Sequence, residues 1–212
     1  MPATITPPDL FDELTDLGRE QGLAAGLRRI LGNAVPAPRT ASGLALVPRG
    51  SCGAEAVATG PRTDPLVAAA GLELVRFADP AAQSDPRDVP DLALMLAAVR
   101  LGVTSRLLDL AVDHLSARRV EEAALIDKPL LRAQIADAVA DLELCRHGLR
   151  TATTPAAAEA LHACLARTAW SISTLFGASG YVLDHAAREL YAAELVHSAW
   201  VGSAIDHVVG EA

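Results

Sequence analysis

Two glutamate–histidine pairs at E-x-x-H spacing, Glu159–His162 and Glu194–His197, are the groups in this sequence with the clearest chemical potential. On a helix this spacing puts both side chains on one face. Two such motifs plus two further carboxylates form the donor set of a di-metal bundle. The levels argue against a shared metal here. In an antiparallel hairpin turning near Ser179 the pairs are offset by about eight residues, roughly 12 Å along the axis. The expectation is therefore no metal and surface positions for these residues. The other histidines are scattered, and His147 reads as the i+4 helix-face partner of Glu143. Cys52, Cys145 and Cys164 form no C-x-x-C pair. An odd, scattered set reads as reduced thiols, with Cys145 and Cys164 as small buried hydrophobes inside helices. Gly50-Ser51-Cys52-Gly53 fits neither a nucleophile elbow nor a phosphate loop, and turn chemistry accounts for its glycines.

The chain that must position these groups has 212 residues, of which 51% are hydrophobic and only 3% aromatic. Alanine and leucine dominate, and small side chains let helices approach closely, which favours helix-on-helix packing. The formal net charge of -8 repels phosphate backbones, so nucleic-acid binding is not expected. No basic run suits an anionic membrane surface, and no apolar stretch is long enough to span a bilayer. Met1 to Asp9 lacks the pattern of a signal peptide, and cytoplasm is the expected location.

Three segments follow from the patterning. Residues 1–40 hold a short helical region, opened by Thr6-Pro7-Pro8-Asp9 and continued by Leu10, Phe11, Leu14 and Leu17. Gly18 and Gly22 weaken that pattern. Residues 41–87 are rich in proline and glycine, with apolar runs at Leu44–Val47, Val67–Ala70 and Leu72–Phe77 that read as vestigial strands, too few for a free-standing barrel. Residues 88–212 read as an antiparallel four-helix bundle, so the fold class is mainly α. Its first helix spans Asp91 to about Ala117, with a break at 120–127. Pro129 opens the second helix and Thr154-Pro155 the third. The fourth runs from about Asp184 to Val209. Each helix exceeds about 20 residues, or roughly 30 Å.

The order of short motifs in this last segment resembles the C-terminal domain of the acyl-CoA dehydrogenase family. Arg100-Leu101-Gly102 holds the leucine-glycine pair of the family's first bundle helix. Asp127-Lys128-Pro129-Leu130, with Gln134 and Ala136-Asp137, is similar to its G-K-P-L…Q…L-A-D entry to the second. Phe176-Gly177-Ala178-Ser179-Gly180-Tyr181 resembles the H-G-G-x-G-Y turn. Asp184, Arg188, Leu190 and Tyr191 track D-x-P-x-x-R-L-Y, with the arginine one place early. The resemblance covers about residues 88 to 205.

That resemblance implies FAD held between subunits and a glutamate that removes the α-proton of an acyl-CoA thioester. Counting from the turn, Val201 occupies the glutamate's position, within Trp200-Val201-Gly202-Ser203, so no catalytic residue carries over. The alternative base position in the first helix falls on Leu92, and the neighbouring Asp91 reads better as a helix-start charge. The implied flavin contacts are eroded. Arg119 supplies the diphosphate arginine only with a four-residue insertion, and a solvated helix-end role for Arg118 and Arg119 stands beside it. Thr174 stands for a glutamine, Ala178 for the second glycine after Gly177, and Ser203 for a threonine. Gly177 and Gly180 also read as a plain helix stop.

About 90 residues precede the bundle where the family has about 230, so one complete flavin and thioester pocket is not expected in this chain. The implied role is a non-catalytic or half-site subunit that shares FAD with an acyl-CoA dehydrogenase-like partner, acting on bulky, steroid-type acyl-CoA. The alternative is a stand-alone homodimer without flavin, binding a small apolar ligand or serving as a scaffold.

Overall fold

The computed structural model describes residues 8–32, 38, 43–51, 56–58, 64–77, 91–178 and 187–201. Helix α1 (Pro8–Gln21) buries Phe11 and Leu14, and α2 (Leu23–Leu31) buries Leu23, Leu27 and Ile30. Gly22 joins them at φ 84, a left-handed conformation open to glycine and unfavourable for other residues. Strands β1 (Leu44–Pro48), β2 (Ala56–Ala58) and β3 (Leu72–Phe77) form a small antiparallel sheet in the order β1-β3-β2, with Leu46 opposite Leu74. The apolar runs at Leu44–Val47 and Leu72–Phe77 are thus strands. Val67–Ala70 is not: it lies in and just after α3 (Pro65–Ala69). The deciding signal is local. Asp64 accepts a 2.8 Å hydrogen bond from the Leu66 N–H, and Pro65 fixes φ for the first turn.

The bundle comprises α4 (Leu92–Ala117), α5 (Pro129–Thr151), α6 (Pro155–Thr174) and α7 (Arg188–Trp200). Pro129 and Pro155 stand at helix starts as their position dictates, and the Thr154 hydroxyl accepts from the Ala157 N–H at 3.2 Å. Between α4 and α5 the chain makes a two-strand ribbon, β4 (Arg119–Val120) with β5 (Ala123–Ala124), and a 3-10 turn at Leu125–Asp127. The last helix is described from Arg188 to Trp200, with Val201 as its cap, and its expected bounds at Asp184 and Val209 lie outside the described residues.

Helix α4 is the axis of the molecule. Every residue from 94 to 105 is buried, which no amphipathic surface helix shows. Its apolar positions are not one stripe because it is covered on all sides: by α1 on one flank and by α5, α6 and α7 on the others. Gly18 and Gly102 make the α1 contact. A β-carbon on Gly102 would stand 2.0 Å from the Thr15 carbonyl oxygen, and one on Gly18 would stand 2.4 Å from that of Val99. Gly18, a weak point in the sequence pattern, is where two backbones meet. One continuous core runs from Phe11 through α4 to Trp200. The Trp200 indole N–H donates to the Leu46 carbonyl at 2.9 Å and ties α7 to β1. Among the described residues no helix is long and apolar enough to cross a membrane.

Candidate functional site

The two E-x-x-H motifs come together, contrary to the sequence expectation. His162 is 1% exposed, and its ring stacks on His197 with centroids 4.1 Å apart. Two antiparallel helices reverse each other's order, so E-x-x-H on α6 faces H-x-x-E on α7. Residue 178 is the midpoint between Glu159 and His197 and also between His162 and Glu194. The pairs are therefore level rather than offset. Only the glutamates keep to the surface: Glu159 is largely exposed and Glu194 is 42% exposed.

Arg100 of α4 occupies the space between them. It is 3% exposed, and its guanidinium donates to His162 Nδ1 at 2.8 Å and to the Glu194 carboxylate. An arginine can only donate, so His162 Nδ1 is unprotonated, and its Nε2–H donates to the Ala93 carbonyl at 3.0 Å. Burial, the Arg100 charge and His197 together push His162 down to about 3. His197 is lowered too, by burial and then by Arg100, against the opposing pull of Glu159. Its buried Nε2 lies 3.7 Å from the Glu159 carboxylate, beyond hydrogen-bond reach. The guanidinium thus sits where a bundle metal would, and its positive charge opposes a second cation. No group of three or more His, Cys, Asp or Glu side chains among the described residues is arranged to hold a metal ion.

The flavin-motif residues fall at the two ends of the bundle. Arg119 lies in β4, exposed, and donates to the Glu122 carbonyl. Thr174 ends α6, where its hydroxyl donates to the Ser171 carbonyl at 2.7 Å and accepts from Gln134 at 2.9 Å. Gln134 also donates to the Ser171 carbonyl at 2.7 Å, so it fastens the start of α5 to the end of α6. Gly177 follows at φ 57 with open space around its Cα, and Ala178 is exposed beside it. Val201, half-buried, lies beyond the far end of α7, a 13-residue helix of about 20 Å. Ser203 lies outside the described residues. Arg119 and Gly177 are exposed to solvent, and the Thr174 hydroxyl is engaged by Gln134 and Ser171.

Among the described residues of α7, Glu189 is a half-buried carboxylate, twelve positions before Val201, raised by burial against Arg106 at 3.8 Å and Arg188. It faces Gly22 at the α1–α2 joint, where a β-carbon would stand 2.6 Å from Glu189 Oε1. One further sequence reading changes: Glu143 pairs with Arg146 and not with His147. Arg118 is an exposed charge at the end of α4, 3.3 Å from His114. Sequence reasoning missed Arg100 as the organiser of the cluster; its signal was a charged residue beside a leucine-glycine pair inside the otherwise apolar stretch 92–103.

This architecture, a small antiparallel sheet beside a four-helix bundle, defines a helical acyl-CoA dehydrogenase-type carboxyl domain. The family model for the acyl-CoA dehydrogenase C-terminal domain matches residues 92–204, and the chain belongs to that family. Among solved structures, a glycine-to-alanine variant of the Tcur3481–Tcur3483 steroid ACAD has this fold at TM-score 0.52 and 18% identity, over 78% of this chain and 47% of that one. A probable acyl CoA dehydrogenase from Mycobacterium abscessus matches at TM-score 0.52 and 14% identity, over 74% and 48%. The chain spans about half the length of these structures. A search of curated proteins finds no match.

Proposed function

We propose that this chain is the non-catalytic or half-site subunit of a heteromeric, FAD-dependent acyl-CoA dehydrogenase acting on bulky, steroid-type esters. One observation carries the reading: an aliphatic side chain, Val201, caps α7 where the family resemblance calls for the proton-abstracting glutamate. Valine accepts no proton at any pH. The half-length match supports a partner that supplies the remaining walls, and the ester class follows the one named for a structure of this fold. FAD, held mostly by the partner, supplies a hydride acceptor. This chain contributes the bundle surface, Arg119 toward the flavin diphosphate, the open backbone at Gly177–Ala178, and the Ser203 hydroxyl.

A second reading has its own observation. An open apolar groove of about 300 Å³ runs between α5 and α6, lined by Leu144, Gly148, Ala157 and Leu161 among others. A stand-alone homodimer would use it for a small apolar ligand. Expression alone and beside an acyl-CoA dehydrogenase-like partner separates the readings. The first expects a colourless chain alone and a yellow, active complex with the partner. The second expects a colourless, stable homodimer indifferent to it. A yellow chain that oxidises an acyl-CoA thioester unaided would overturn both.

A further inference from the structure

Cys145 and Cys164 stand nineteen positions apart in sequence, yet the fold brings both to one groove. Cys145 projects from α5 and Cys164 from α6, and the α5–α6 turn at 152–154 lies close to midway between them. Both are free thiols, 1% and 9% exposed. Both line the α5–α6 groove. The groove is open above them because small residues, Gly148, Ala157 and Ala160, form its walls. The groove is therefore the side from which a small molecule approaches the two sulfurs.

The geometry points to a dithiol modification site: Cys145 and Cys164 close to an intrachain disulfide when a low-molecular-weight disulfide enters the α5–α6 groove. Cys164, the more exposed, attacks first as its thiolate. A bond forms between its sulfur and one sulfur of the oxidant, and the other leaves as a thiolate that takes up a proton. Cys145 then gives up its proton and displaces the second thiol. The protein loses two hydrogens and two electrons, and the oxidant becomes two thiols. A disulfide needs α-carbons about 4.4–6.8 Å apart, and near-equal distance from the α5–α6 turn sets the two cysteines level on the helices that wall one groove. Burial and the adjacent Cys164 push the Cys145 thiol up to about 12, which makes closure the slow step and one that quickens with pH. The inference holds whichever functional reading is right, because it uses only α5 and α6.

The test uses the full chain with oxidised glutathione, in wild type and in a Cys52→Ser background. Peptide mapping is expected to join the Cys145 and Cys164 peptides, with loss of two hydrogens from the intact mass. The melting temperature is expected to rise on oxidation and to return with dithiothreitol. In Cys145→Ala the reaction is expected to stop at a glutathione adduct on Cys164. A link that forms only in urea, a native chain that stays reduced at both sites while Cys52 is oxidised, or a link that lowers the melting temperature would each overturn the proposal.

Discussion

The Arg100 guanidinium donates to Nδ1 of His162 at 2.8 Å, and this bond fixes the histidine as a neutral, Nε2-protonated ring in the centre of the bundle. A charge on that ring would stand against a buried arginine. The arginine in turn relies on Glu194, the carboxylate that bridges it to α7.

The first consequence is acid sensitivity. His162 titrates at about 3 when folded and near 6.5 when unfolded. Its folded value is lowered, so unfolding takes up a proton below pH 6.5. The stability it supports is present above that pH and is lost as pH falls toward 3, at about 1.4 kcal/mol per pH unit for one proton. His162→Gln keeps an acceptor for Arg100 and a donor for Ala93 but cannot titrate. Denaturant unfolding from pH 7 to pH 4 is expected to show a flatter acid arm in this variant. Equal slopes in both proteins would refute the assignment.

The Arg100–Glu194 pair is expected to be asymmetric. Glu194→Ala strands a guanidinium that is only 3% exposed, a loss of about 3–5 kcal/mol for an orphaned buried charge. Arg100→Met leaves a carboxylate that is 42% exposed and can be hydrated, so it costs less. The double variant, with both charges gone, is expected to be more stable than Glu194→Ala alone. Urea midpoints of the three proteins decide it.

Two glycines that look alike in sequence are expected to behave differently. Gly102→Ala drives a methyl against the Thr15 backbone at 2.0 Å, which cannot yield without separating α1 from α4, at a cost of about 3 kcal/mol or more. Gly148→Ala meets only the tip of the Leu161 side chain. That tip can rotate, and the helix gains up to about 1 kcal/mol of propensity. Melting temperatures are expected to fall sharply for the first and to stay near wild type for the second.

For the proposed heteromer, Arg119→Ala is expected to weaken flavin retention about tenfold, the loss of one charge-assisted hydrogen bond. Val201→Ala is expected to leave turnover of the complex unchanged, because no proton passes through that position. Flavin absorbance after gel filtration and the thioester oxidation rate measure the two effects. Lost turnover in Val201→Ala with flavin intact would contradict a half-site without a base.

Much of the bundle was legible because its starts are written in residues with one structural use: Pro129, and Thr154 with Pro155. The level of the two E-x-x-H motifs was misjudged because antiparallel pairing inverts the motif, so each glutamate faces the other helix's histidine. Val67–Ala70 has the apolar character of a strand, and only the Asp64-Pro65 cap identifies it as helical. Arg100 was invisible as an organiser because a charge inside an apolar stretch becomes meaningful only when its two partners, His162 of α6 and Glu194 of α7, are placed. The placing of Cys145 and Cys164 in one groove is likewise a property of helix register, which no local spacing encodes.

The glycine-to-glycine crossing of α1 on α4 also bears on how this polypeptide can be divided. Excising the carboxyl half at residue 87 would strip the cover from Val99 and Val103 and leave an oily seam along the most buried rod in the molecule. The smallest excerpt with a complete skin is therefore one that keeps the opening thirty residues attached, however loosely sequence similarity binds them to the rest.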